Sequence, residues 1–120
     1  MMQFVLVIYH GSFPLPGTPQ AESVTEEQRQ SVYADFAALG RRENVKAGPP
    51  LGLPADATTV RVVDGSTVTA DGPFRGVENA IGGYAVVEAD DLAAAVEIAA
   101  SIPQARMGGA VEVRPSEKYW

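Results

Sequence analysis

Cysteine is absent from these 120 residues, which excludes disulfides, thiolate nucleophiles and cysteine-ligated zinc. Histidine occurs once, at His10, so any imidazole chemistry rests on that residue, and the scattered acids have no metal-ligand spacing. Basic residues are few: 9 Lys and Arg against 15 Asp and Glu give a formal net charge of −6. The lone basic pair, Arg41-Arg42, runs directly into Glu43. Phosphate binding needs clustered cations, so a nucleic-acid partner is not expected. No apolar run approaches the roughly 20 residues that span a bilayer. The opening Met1-Met2-Gln3-Phe4 lacks the basic start and small-residue cleavage site of a secretory signal. A soluble, cytoplasmic protein without a membrane partner is the expectation. No cofactor motif is found: Gly82-Gly83 lacks the rest of a phosphate loop, and Ser12 and Ser23 stand outside any nucleophile motif.

What remains is ordinary globular composition, 46% hydrophobic and 20% charged, fitting a single domain over residues 1–120. Met2 to Tyr9 is an apolar, β-branched run broken only by Gln3, and reads as a central strand buried on both faces. His10 to Val24 carries Pro14, Pro16 and Pro19, a density that forbids helix and ladder alike. Such a loop is either a functional lid or disordered. Thr25-x-x-Gln28 has capping-box form, and Val32, Phe36 and Leu39 follow at helical spacing, widened by Tyr33 and Ala37. Asn44 is a plausible left-handed stop for that helix. A short strand from Val45 to Ala47 follows.

Thr58 to Val63 and Thr67 to Ala70 flank Asp64-Gly65, a hairpin signal. A two-residue turn pairs Val63 with Ser66, Val60 with Thr69 and Thr58 with Asp71, putting Arg61 on the face opposite Asp71. Gly83 to Ala89 is a further strand. Asp90 is expected to cap a second helix with Leu92, Val96, Ala99 and Ile102 as its apolar stripe, and Pro103 ends it. Ala110 to Pro115 closes the chain's strands, with Val111 and Val113 on one face and Glu112 and Arg114 on the other. The order β-α-β, hairpin, β-α-β implies an α+β, ferredoxin-like βαββαβ fold with an inserted β-hairpin. Both helices then cover one sheet face, and pairing of two copies through the other face, a homodimer, is the expected way to bury it.

Five places could carry chemistry. Asp71, fixed ahead of Gly72-Pro73, is either a pocket carboxylate acting as general base or anchor, or the acceptor of an Asx-type turn. His10, at the junction of the first strand and the proline-rich loop, is either a site residue or a lone surface histidine; Asp35 is one carboxylate that could orient it. Glu112 and Arg114 share a face and either bind a ligand inside a barrel or form a structural ion pair. Arg106, beside Gly108-Gly109, could grip a carboxylate or phosphate, pointing to a small anionic or carbonyl ligand. Tyr84 could add a hydroxyl, with core packing as its plainer role. Phe74 is expected in the core.

Asp71-Gly72-Pro73-Phe74, Gly82-Gly83-Tyr84, Asp91-Leu92 and Val111-Glu112-Val113-Arg114-Pro115 together resemble the YCII-related proteins, in the branch named for its DGPF motif. The resemblance covers nearly the whole chain and implies a dimeric α+β barrel of ferredoxin-like protomers. Founding members of that family are proposed enzymes with a His-Asp pair, the histidine in the first helix and the aspartate before a proline ending the second. Here the first helix has no histidine and Ser101-Ile102 precede Pro103, so that dyad does not carry over. The charged residues that usually follow the motif are replaced by Arg75-Gly76-Val77-Glu78-Asn79. Genes of the branch often neighbour extracytoplasmic-function sigma factors. Two functions follow: an enzyme or binding protein with a small-molecule pocket, using Asp71 and His10 as acid-base candidates and Arg106, Glu112, Arg114 and Tyr84 at the ligand; or a non-catalytic accessory protein in sigma-factor-linked regulation.

Overall fold

A computed structural model of the chain describes residues 1–119. Strand β1 (Met2–Tyr9) leads through a one-turn helix α1 (Pro19–Glu22) to helix α2 (Glu26–Gly40) and the short strand β2 (Val45–Ala47). A hairpin of β3 (Thr58–Val63) and β4 (Ser66–Asp71) intervenes before β5 (Ile81–Ala89), α3 (Leu92–Ala100) and β6 (Ala110–Pro115). Four strands form one antiparallel sheet in the order β2-β5-β1-β6, and β3 and β4 form a separate two-stranded sheet. The chain is α+β.

The core lies on one side of the four-stranded sheet. Phe4, Leu6 and Ile8 of β1, Val45 of β2, and Ala85, Val87 and Ala89 of β5 meet Leu39 of α2 and Ala95, Ile98 and Ala99 of α3, with Ile102 beyond it. Fully burying one large aliphatic or aromatic side chain is worth about 1.5–3 kcal/mol, so this cluster supplies most of the cohesion. Val111 and Val113 pack against it from β6, as alternation requires. The same alternation sends Val5, Val7 and Tyr9 to the opposite face, where they are half-buried. The central strand is therefore sealed on one face only.

The capping box at Thr25 forms in both directions: its hydroxyl accepts from the Gln28 N–H and its own N–H donates to Gln28 Oε1 at 2.9 Å. The hairpin has the expected register, with Thr58 opposite Asp71, Val60 opposite Thr69 and Val63 opposite Ser66. Asp64 is the described non-glycine residue with positive φ, at 50°, followed by Gly65 at 80°, the requirement of a two-residue primed turn.

Several expectations give way. Asn44 is not left-handed; its amide donates to Glu88 O at 2.9 Å and its carbonyl accepts from the Glu88 N–H, extending the pairing of β2 with β5. The cap of α3 is Asp91, not Asp90, its carboxylate accepting from the Ala94 N–H at 2.9 Å. Leu92 and Val96 are exposed, and the buried stripe is Ala95, Ile98, Ala99 and Ile102. On α2 Leu39 is buried while Tyr33 and Phe36 are exposed. The proline-rich segment is not all loop, since Pro19 begins a helical turn, a position where its missing N–H costs nothing. Phe74 is no core residue: it is 67% exposed.

Candidate functional site

The site begins where β1 runs out. Pairing with β5 slips by one residue between Ile8 and Tyr9, a bulge that turns the next side chain inward. That side chain is His10, whose N–H donates to Ala80 O at 3.0 Å. Its ring lies against the backbone of Gly82, in space that any side chain at that position would fill. The ring is not at the surface: His10 is 7% exposed and its Nδ1 is sealed without a hydrogen-bond partner among the described residues. Burial pushes its pKa below the ordinary 6.5, because charging a ring cut off from water is unfavourable. His10 is thus a neutral imidazole at pH 7.

Gln104 is the second buried polar side chain, 6% exposed with its Oε1 likewise unpartnered. It lies in the turn Pro103–Ala105, which is stitched to the start of the loop. Gly109 N–H donates to Gln104 O at 2.9 Å, Ser12 N–H to Gly108 O at 3.0 Å and Phe13 N–H to His10 O at 2.8 Å. The left-handed Gly11 and Gly108, at φ 54° and 91°, let the two segments pass this closely.

Past this root the loop folds over α2 and leaves a cavity of about 380 Å³. Phe13, Pro14 and Pro16 form one wall, and Val32 and Tyr33 of α2, with Met107, another; Arg29, loosely paired with the exposed Glu26 at 3.7 Å, supplies the cation. Positions 29, 32 and 33 share one helix face. Phe13 links this space to the histidine, since the two rings stack with centroids 6.5 Å apart and 24° between planes. Arg106 and Met107 also border a more open cleft with Ser12 and Gln28.

The other expected site residues are scattered. Asp71 ends β4 on the separate hairpin, exposed, and does not line the cavity. Its carboxylate accepts no hydrogen bond among the described residues. The bend is held instead by Gly72 N–H to Ala57 O and Thr59 hydroxyl to Gly72 O, both 2.7 Å. Gly72 adopts φ 95°, a region that glycine enters without a steric penalty. Asp35 does not reach His10; it pairs with Arg106 at 2.6 Å, and Arg106 also donates to Ser31 Oγ at 3.4 Å. Arg106 therefore ties α2 to the Pro103 turn.

Glu112 and Arg114 form an exposed ion pair at 2.7 Å on the open sheet face. The Arg114 guanidinium, then the Tyr9 hydroxyl, hold the Glu112 carboxyl below its usual range. Tyr84 is exposed on that face, its ring over Gly48. Among the described residues no three His, Asp or Glu side chains converge as metal ligands would.

A model of the YCII-related domain matches residues 2–117, almost the full chain. The protein belongs to the YCII-related family. This YCII-related chain is also 32% identical over 107 residues to an uncharacterized protein of Rhizobium meliloti (strain 1021), covering 82% of this chain and 86% of the relative. No helix among the described residues of this family member is long and apolar enough to cross a membrane. Reasoning from sequence missed Phe13, Arg29, Gly82 and Gln104. A partial signal existed for Gly82, which stands in the Gly82-Gly83 pair near the start of β5.

Proposed function

We propose that this chain binds a small molecule in the cavity between the proline-rich loop and α2. The ligand has an apolar body, matching Phe13, Pro14, Pro16 and Val32, and an anionic or carbonyl end that reaches Arg29. The carrying observation is the double role of Phe13, whose ring lines the cavity and stacks on a buried, neutral histidine with an unpaired nitrogen. Ligand cavities are commonly apolar, a few hundred Å³ in volume, with few polar groups that fix orientation. Binding is assigned and catalysis is not. Asp71 does not line this cavity, and Arg106 is engaged by Asp35.

Amide-resolved NMR titration with small aromatic and aliphatic carboxylates tests the proposal. Shifts are expected at Phe13, Val32 and Met107, weakened in Arg29→Ala for the carboxylates but not for their uncharged amides, and abolished in Val32→Trp, which fills the space. Ligands that shift none of these amides, or that bind Val32→Trp as well as wild type, overturn it.

We also infer a ferredoxin-like protomer that pairs with a second copy through the open face of its four-stranded sheet. The strand order β2-β5-β1-β6, all antiparallel, and the collection of the core on one side support it. So do the half-covered Val5, Val7 and Val86 on the other side. Light scattering on a size-exclusion column should give twice the 12.6 kDa chain mass; a monomer at micromolar concentration rejects the reading.

A further inference from the structure

We propose that the β3–β4 hairpin is an arm that clasps a second copy of this chain, so that each protomer's ribbon lies on its partner. The inference rests on the homodimer above and adds a second element that holds it together. Every hairpin strand residue except Thr59 is exposed, and among the described residues β3 and β4 pack extensively on no element but each other. An isolated two-stranded hairpin is at best marginally stable in water. This one is nonetheless fully paired over six rungs, and it holds Val60, Val62, Val63 and Val68 out in solvent among its polar residues. Val60 and Val62, 60% and 69% exposed, lie opposite Thr69 and Thr67, making one face a β-branched surface with no charge but Asp71 at its end.

The surplus surface is of the size that a second copy would cover. A compact monomer of 12.6 kDa exposes about 6,200 Å², whereas this chain exposes 8303 Å². The excess, about 2,100 Å², is the area each subunit of an obligate homodimer covers (roughly 1,000–2,500 Å² a side). The radius of gyration agrees: 16.1 Å against about 13.6 Å for a compact chain of this length.

Charge on the ribbon's other face, where Arg61 lies, also favours a partner. At the hairpin root, Phe74 is 67% exposed and has the Arg61 and Arg75 guanidinium carbons 6.0 and 5.9 Å from its ring centre. Neither arginine has a carboxylate partner among the described residues, although the chain carries a net charge of −6. A second copy brings the carboxylates they lack, and exposed aromatics beside arginines are the usual anchors of protein interfaces.

The absence of cysteine makes the test direct. A Val62→Cys variant has one thiol, and its maleimide labelling rate is compared with that of Glu27→Cys on exposed α2, both at concentrations where light scattering reports the dimer. Labelling of Val62→Cys at least tenfold slower than the control, and equal to it in denaturant, is expected. Val60→Glu combined with Val62→Glu should shift the scattering mass toward monomer while keeping the helical circular dichroism. A dimer that labels at the control rate rejects the arm and leaves the sheet-face dimer standing, whereas a monomer throughout rejects both. The labelling result decides even where the glutamate variant fails to fold.

Discussion

The imidazole of His10 occupies the space that a side chain at Gly82 would need: a Cβ there would lie 2.5 Å from Nε2 and 2.7 Å from Nδ1. Gly82 is thus a glycine because of its neighbour, not because of its φ. Gly82→Ala forces the ring out of a buried slot, and overpacking of this kind costs about 1–3 kcal/mol. In the Gly82→Ala, His10→Ala double variant the clash is gone, so the two losses should be less than additive. Denaturant unfolding of the four-member cycle checks this; strict additivity contradicts the contact.

The same burial sets a pH dependence. The folded pKa of His10 lies below 6.5, so on acidification the unfolded chain takes up the proton first. The contribution of the neutral ring is fully present above pH 6.5 and is lost as the pH falls toward the folded pKa. Glu112, held below 4.5 by Arg114, begins to lose its own contribution only below that pH. Denaturant midpoints measured from about pH 7.5 to 5.5 should fall in wild type and stay flatter in His10→Gln. Equal slopes in the two proteins would show that another group is responsible.

Much of the fold was legible because its signals are local. Thr25 and Gln28 specify a capping box by spacing alone, and Asp64-Gly65 fixes turn type and hence register. The stripe of α3 was legible at Ala99 and Ile102 but not at its start, since Leu92-Ala93-Ala94-Ala95-Val96-Glu97-Ile98 is apolar on more than one face. Periodicity permits either the 92-96 or the 95-98-99-102 stripe, and the small Ala95 and Ala99 win because they let the helix approach the sheet closely. The site was less legible still. Whether His10 is buried depends on Gly82 and the Pro103 turn, which are distant in sequence and meet it only in the folded chain. Asp71 attracted notice as part of a motif whose structural demand falls on Gly72.

Two further glycines separate a rigid obstacle from a mobile one. A Cβ on Gly109 would lie 2.8 Å from His10 O and 3.0 Å from Gln104 O and press on Tyr9 O, all backbone atoms held in the sheet and the turn. A Cβ on Gly48 would meet the Tyr84 ring at 2.6 Å, but that ring is exposed and can swing aside. Gly109→Ala should cost about 1–3 kcal/mol and Gly48→Ala less than about 1 kcal/mol. Thermal unfolding ranks them; the reverse order would mean that the loop root is softer than its hydrogen bonds imply.

Arg106 and Asp35 join the Pro103 turn to α2 beside the cavity. Their contact is short, 2.6 Å, but the side chains are 42% and 38% exposed, so water and salt screen most of the attraction. Exposed pairs are typically worth about 0.2–1 kcal/mol, and a double-mutant cycle of Arg106→Ala and Asp35→Ala should return a coupling in that range. Raising sodium chloride from about 50 to 500 mM should shrink it, since the screening length falls to a few ångströms. If the pair acts only as a clamp, both single variants lose comparable stability and keep the NMR response of Phe13 and Val32 to carboxylates. A selective loss of that response in Arg106→Ala, with Asp35→Ala unaffected, would instead make Arg106 a direct ligand contact.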